Sequence, residues 1–264
     1  MTENILLCAR NIRAKLDVTG SASASPVIFS LVLFLAVNAF LQPAVARTNG
    51  LSSEAITVSA PKTHQEREAL FQRAVADDLA GRNAAARKAW DALKGSDMAA
   101  QIAVPSAVNL AALGQFDAAN DAFDAISLGS DAREKDYARL WQLWLTARTY
   151  VGKPAGLKKE LAILASGMNV RSPNQQAIIR LYSGQGSTEA VFAAIAALPG
   201  TDELRRRDAL TEATFFTGSY LQFVTRNKKA ALELYERELK QLNSTSLERP
   251  LITKAAATLQ AVEH

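Results

Sequence analysis

The sequence predicts an all-α chain: about five consecutive helix pairs and a C-terminal capping helix, preceded by an export segment. Three observations predict it. A block of sequence recurs at an offset of 33 residues without a gap. Apolar residues recur at helical spacing, and no stretch in 64–264 alternates in the manner of a strand. The 264 residues include only 8 Pro and 13 Gly against abundant Ala, so little interrupts a helix. A mean hydropathy of −0.02 leaves ample apolar material for one sizeable core.

The first element in order is the export segment. Arg10, Arg13 and Lys15 precede the most apolar run, VIFSLVLFLAVNAFL from Val27 to Leu41. That run is short for a bilayer, which a helix crosses in about 20 residues. Pro43 breaks the helix, and Ala44-Val45-Ala46 is the small-x-small pattern that signal peptidase reads. Residues 1–46 therefore read as a signal peptide cut between Ala46 and Arg47, with an uncleaved anchor as the other reading of the same segment. Cys8 follows Leu7 and lies upstream of the apolar run, which does not suit lipidation. Residues 47–63 are polar, with Gly50, Ser52, Ser53 and Pro61 and no helical stripe. They read as a flexible linker to a helical repeat domain at 64–264. The expected location is the periplasm or the medium, or the inner membrane if the segment at 27–41 is retained.

The repeat aligns LFQRAVADDLAGRNAAARKAWDAL (70–93) with AVPSAVNLAALGQFDAANDAFDAI (103–126). Ala74 falls on Ala107, Gly81 on Gly114, Ala86 on Ala119, Trp90 on Phe123 and Leu93 on Ile126. Small residues suit a close helix crossing, the glycine supplies the turn, and the aromatic recurs four positions later on the same face. With these residues, and L-G-Q-F-D-A-A-N-D-A-F (113–123) above all, the sequence resembles the tetratricopeptide repeat family. The resemblance implies a right-handed α-solenoid that binds other proteins or peptides.

Looser units follow. Residues 138–164 place Gly152 at the turn, Leu157 and Leu161 at the packing positions, and Pro154 in a helix's first turn. Residues 174–198 supply a helix, a turn at Gly184 and Gly186, and an Ala-rich helix. Residues 210–242 set Gly218, Ala230 and Leu234 in register, with Asn227 as a helix cap. A capping helix is expected at about 248–262. Pro105 is the one irritant, requiring either a helix start near Val104 or a kink. The stretch EATFFTGSYLQFVTRNKKAALELY also resembles the terminal repeats of bacterial envelope tetratricopeptide lipoproteins, which recruit proteases and cell-wall hydrolases. The acylated cysteine of those proteins is absent.

Scarce residue types limit the chemistry. One cysteine and two histidines, His64 near the linker and His264 at the end, assemble neither a zinc cluster nor a histidine-dependent nucleophile. No P-loop, dinucleotide fingerprint or hydrolase elbow occurs. The acid pairs Glu66/Glu68 and Asp77/Asp78 read as solvated helix surface rather than as an acid–base pair. Residues 47–264 carry 27 basic and 24 acidic side chains, a balance that argues against nucleic acid. The expectation is a non-enzymatic, cofactor-free adaptor of the cell envelope. Its partner would lie along the first helices of the pairs, on Arg139, Gln142, Thr146, Tyr150, Gln175, Tyr182, Gln222 and Phe223. Two alternatives are a membrane-anchored assembly subunit and a helical superhelix acting on cell-wall polymer.

Overall fold

Helix after helix is connected by short turns in the computed structural model, which describes residues 61, 63–198 and 202–263. The expected signal segment, its cleavage point, most of the 47–63 linker and His264 lie outside the described residues. Among those described there are eleven helices and no strand. The first pair is α1 (His64–Leu79) with α2 (Asn83–Leu93), and the second is α3 (Ala99–Ala112) with α4 (Phe116–Ser127). The third is α5 (Ala132–Thr149) with α6 (Pro154–Ser166), and the fourth is α7 (Pro173–Tyr182) with α8 (Thr188–Ala196). The fifth is α9 (Glu203–Phe223) with α10 (Lys228–Glu238), and α11 (Glu248–Glu263) follows.

The 33-residue superposition has a direct structural counterpart. Ala74 and Ala107 are fully buried on the first helices of their pairs, and Ala86 and Ala119 on the second. Trp90 and Phe123 are fully buried at equivalent positions of α2 and α4. Gly81 and Gly114 turn the chain at φ 74° and 76°, the left-handed region that other residues enter only with strain. Leu157 and Leu161 are buried where the third unit places them, and Pro154 opens α6. Asn227 caps α10 by accepting from the Ala230 N–H at 3.1 Å. Thr63, the last linker residue, forms a reciprocal capping box with Glu66 at the start of α1.

Two expectations change, and one open alternative is decided. Helix α3 begins at Ala99 and runs through Pro105, which is buried inside it, so the start near Val104 is excluded. Gly218 is not a turn glycine: it lies within α9, where an added Cβ would come within 2.1 Å of the Tyr235 ring of α10. Gly218→Ala is accordingly expected to cost about 1–3 kcal/mol by overpacking. The denaturation midpoint reads this, and Tyr235→Leu in the same chain should recover part of it. Asp77 and Asp78 are buried rather than solvated. Asp77 pairs with Arg82 at 2.7 Å, while Asp78 accepts from Trp90 Nε1 at 2.8 Å and from Asn109 Nδ2 at 2.5 Å. Burial pushes Asp78 up to about 6, despite those two hydrogen bonds.

Each helix packs on its successor, and contacts also link α1 with α3, α5 with α7, α7 with α9, and α5 with α9. The α5–α9 contact skips a pair and brings the aromatic centre together. Trp141 lies 5.1 Å from Phe215 and 5.7 Å from Phe216, and stacks on Phe123 of α4 at 5.3 Å. Helix α11 then folds back over the first helices. It packs on α9 and α10 and reaches α1, and its Glu248 accepts from the Tyr137 hydroxyl at 2.6 Å. Ile252, Ala256 and Leu259 bury its inner stripe. The face along the first helices is thus taken up by the chain's own packing.

Candidate interaction site

Helix α5 has two opposed faces. Trp141 and Trp144 project toward α9, where Trp144 Nε1 donates to Ser219 Oγ at 3.0 Å, and Tyr137 reaches Glu248 of α11. Arg139, Gln142 and Thr146 recur at i, i+3 and i+7 on the other side, with Lys135 before them and Tyr150 just past the helix end. All five are partly exposed.

At its C-terminal end this stripe opens into a cleft of about 370 Å³ between α4, α5 and α6. Phe116, Asp117 and Asp121 come from α4, Thr146 and Tyr150 from the α5 side, and Glu160 from α6. The three carboxylates are exposed, and none pairs with a cation among the described residues. Two ring systems bound them. Phe116 meets Trp144 edge-on at 6.0 Å, while Tyr150 lies so close to the first turn of α6 that a Cβ on Gly156 would reach its hydroxyl at 2.1 Å. Gly156 therefore leaves the space that the Tyr150 ring occupies. Arg148 inserts its guanidinium between the rings of Phe116 and Phe223, 5.1 Å from each centroid, which ties the end of α9 to this rim.

Carboxylates set among aromatic edges and faces attract a cation by charge and by the ring quadrupole together. Among the described residues no three metal-ligating side chains cluster. The arrangement suits lysine or arginine side chains of a partner chain.

The eight residues expected to bind a partner separate in space. Thr146 and Tyr150 line this cleft, and Phe223 joins it through Arg148. Gln142 lies between, donating to Asp124 of α4 at 2.7 Å. Arg139 opens onto a different cleft nearer the start of α5. Tyr182 is a core residue, 2% exposed, with its hydroxyl on the Phe216 carbonyl at 2.9 Å. Gln175 points inward, donating to Glu212 at 2.9 Å. Burial, reinforced by the charge of Glu248, pushes Glu212 up to about 8. Gln222 is half-buried in the last turn of α9. His64 opens α1 and contacts Asp97 at 3.0 Å on the surface.

Asp117, Asp121, Glu160, Phe116 and Arg148 were not among those eight. A signal for the first two was present: Asp117, Asn120, Asp121 and Asp124 recur at helical spacing on one face of α4. No protein-family pattern matches the sequence, and no curated protein matches it either. Among the described residues no helix is long and apolar enough to cross a membrane, and residues 27–41 fall outside that set.

Proposed function

We propose that this protein is an exported interaction adaptor of the cell envelope, built on tetratricopeptide-like helix pairs wound as a right-handed solenoid. It takes a basic segment of another protein. The observation that carries this reading is the α4–α5–α6 cleft, where three exposed carboxylates, without cationic partners among the described residues, sit against Phe116 and Tyr150. The equal burial of Ala74/Ala107, Ala86/Ala119 and Trp90/Phe123 supports the repeat. Residues 1–46 are the export signal, removed before Arg47.

The partner segment presents lysine or arginine to Asp117, Asp121 and Glu160 and lays its aliphatic stem on the Phe116 and Tyr150 rings. A rim of carboxylates raises association rate and selects the partner's charge more than it deepens affinity. Capture should therefore weaken as salt rises.

A photo-crosslinking residue at Asn120, beside the cleft, tests this in the native host. A discrete protein adduct is expected. Asp117→Lys, Asp121→Lys and Glu160→Lys combined should reduce it at least ~10-fold while helicity is kept, as close like charges cost several kcal/mol. Adducts that persist unchanged in the triple variant overturn the site. N-terminal sequencing of the same material reads the export step: a start at Arg47 is expected, and a retained 27–41 segment would make the protein a membrane-anchored subunit.

A further inference from the structure

A second cleft, of about 450 Å³, lies at the other end of the α5 stripe, between the start of α5 and the α6–α7 connection. Its charge is opposite. Lys135 and Arg139 come from α5, Arg171 from the connection, and Ser130 adds a hydroxyl at the rim. Asp136 is the one carboxylate in the lining, and it is buried and occupied. Its Oδ2 accepts the Arg171 backbone N–H at 3.2 Å, and its Oδ1 faces Arg139 Nη1 at 3.4 Å. The same Nη1 donates to the Asn169 carbonyl at 2.7 Å. Arg139 is thereby held in one orientation before any ligand arrives.

Neither Lys135 nor the Arg171 side chain pairs with a carboxylate among the described residues, so two positive charges in the cleft are unmatched. Two acids flank Lys135: Asp131 is engaged as the cap of α5, accepting the N–H groups of Arg133 and Glu134 at 2.8 and 3.0 Å, and burial with the charge of Asp131 holds the Glu134 carboxyl above its ordinary range. The positive end of the 18-residue helix α5 also lies at this rim.

We propose that the Lys135–Arg139–Arg171 cleft binds a phosphate group, as a small phosphate ester or as an anionic headgroup. A compact dianion matches two unmatched cations. A fork-shaped guanidinium already fixed by Asp136 and Asn169 gives oriented donors to its oxygens. The volume exceeds that of a bare phosphate and leaves room for an organic substituent. This site shares α5 with the acidic cleft but no lining residue, so it goes beyond the adaptor reading and fails or holds separately from it.

Calorimetry and thermal melting of the exported chain with inorganic phosphate and with glycerol phosphate, at fixed ionic strength, test it. Saturable binding and a raised melting temperature are expected with both. Arg171→Gln and Lys135→Gln should each weaken binding about 10-fold, the scale of one lost charge-assisted contact. Arg206→Gln, in the separate basic run of α9, should leave it unchanged. Flotation with vesicles of phosphatidylglycerol in phosphatidylcholine, against phosphatidylcholine alone, separates the two sources. Vesicle binding lost in Arg171→Gln assigns a headgroup, and soluble binding without vesicle binding assigns a free ester. No saturable binding in either format, or equal loss in Arg206→Gln, overturns the proposal. Arg139 is left in place because its guanidinium holds Asp136 and the Asn169 carbonyl, whereas the Arg171 and Lys135 side chains can be replaced without touching a buried bond.

Discussion

Trp141→Ala should lower the stability of the folded chain by about 3–5 kcal/mol, the range for removing a large buried aromatic. Trp141 is fully buried and is the side chain through which three helices meet. It stacks on Phe123 of α4 at 5.3 Å with planes only 7° apart. It meets Tyr137 and Trp144 of its own helix edge-on and lies against Phe215 and Phe216 of α9. Alanine leaves a cavity that these rings cannot close, because they are held by three different helices. At this chain length a loss of that size lowers the melting temperature by roughly 10 °C. Trp141→Phe keeps a ring against Phe123 and should lose less than half as much. Denaturant unfolding with near-ultraviolet circular dichroism reads both. A Trp141→Ala loss under about 1 kcal/mol would mean that α5 and α9 are not coupled through this side chain.

The second large effect is a fall in stability with rising pH. Glu212 is held by the amides of Asn174 and Gln175, at 3.3 and 2.9 Å, close enough to buried Glu248 for the two charges to repel. Burial first, then Glu248, raise its pKa from 4.5 to about 8, and burial raises Glu248 as well. Below pH 4.5 the carboxyl is protonated in both folded and unfolded chains, and its full contribution is present. Between pH 4.5 and about 8 the unfolded chain releases this proton while the folded chain keeps it. Stability therefore drops by up to about 1.4 kcal/mol per pH unit across that window, and by no more above it. Asp78, pushed from 3.8 up to about 6, acts in the same direction over a lower range. Glutamine at 212 removes the titrating proton and keeps one carbonyl acceptor, while its NH2 replaces the other oxygen, so one of the two partner amides must turn its own oxygen toward it. Glu212→Gln should thus flatten the decline between pH 6 and 8 while leaving the Asp78 part below pH 6. Urea midpoints at pH 4.5, 6 and 8 for both chains give the comparison, and parallel curves would contradict it.

Both effects sit in a part of the fold that local pattern could not expose. Helices α5 and α9 are surrounded, with buried side chains on nearly every side: Tyr137, Ala138, Leu140, Trp141, Leu143, Trp144, Leu145 and Ala147 on the former, and every residue from 213 to 219 on the latter. A helix whose buried side chains spread beyond one narrow stripe gives no single direction from which to read its orientation. Spacing places Arg139, Gln142, Thr146 and Tyr150 together along α5, but it does not show that Trp141 and Trp144 meet α9 rather than a helix of the next pair. Glu212 and Glu248 show the same limit from the polar side. They stand 36 positions apart in sequence, and only the fold-back of α11 against α9 makes them neighbours.

Residue order alone was enough for what depends on neighbours along the chain. Helix over strand, the turns at Gly81 and Gly114, the Asn227 cap and the small and aromatic packing positions of the first two pairs all follow from spacings under about 40 residues. Helical periodicity and turn chemistry act over that distance, so they leave a trace in one sequence. Tertiary packing decided the rest: how α5 is rotated, that α11 covers the first helices, and that opposite charges gather in two clefts along one helix. Those outcomes depend on which distant surfaces meet, and burial against a remote helix leaves no periodic mark at the residues that undergo it.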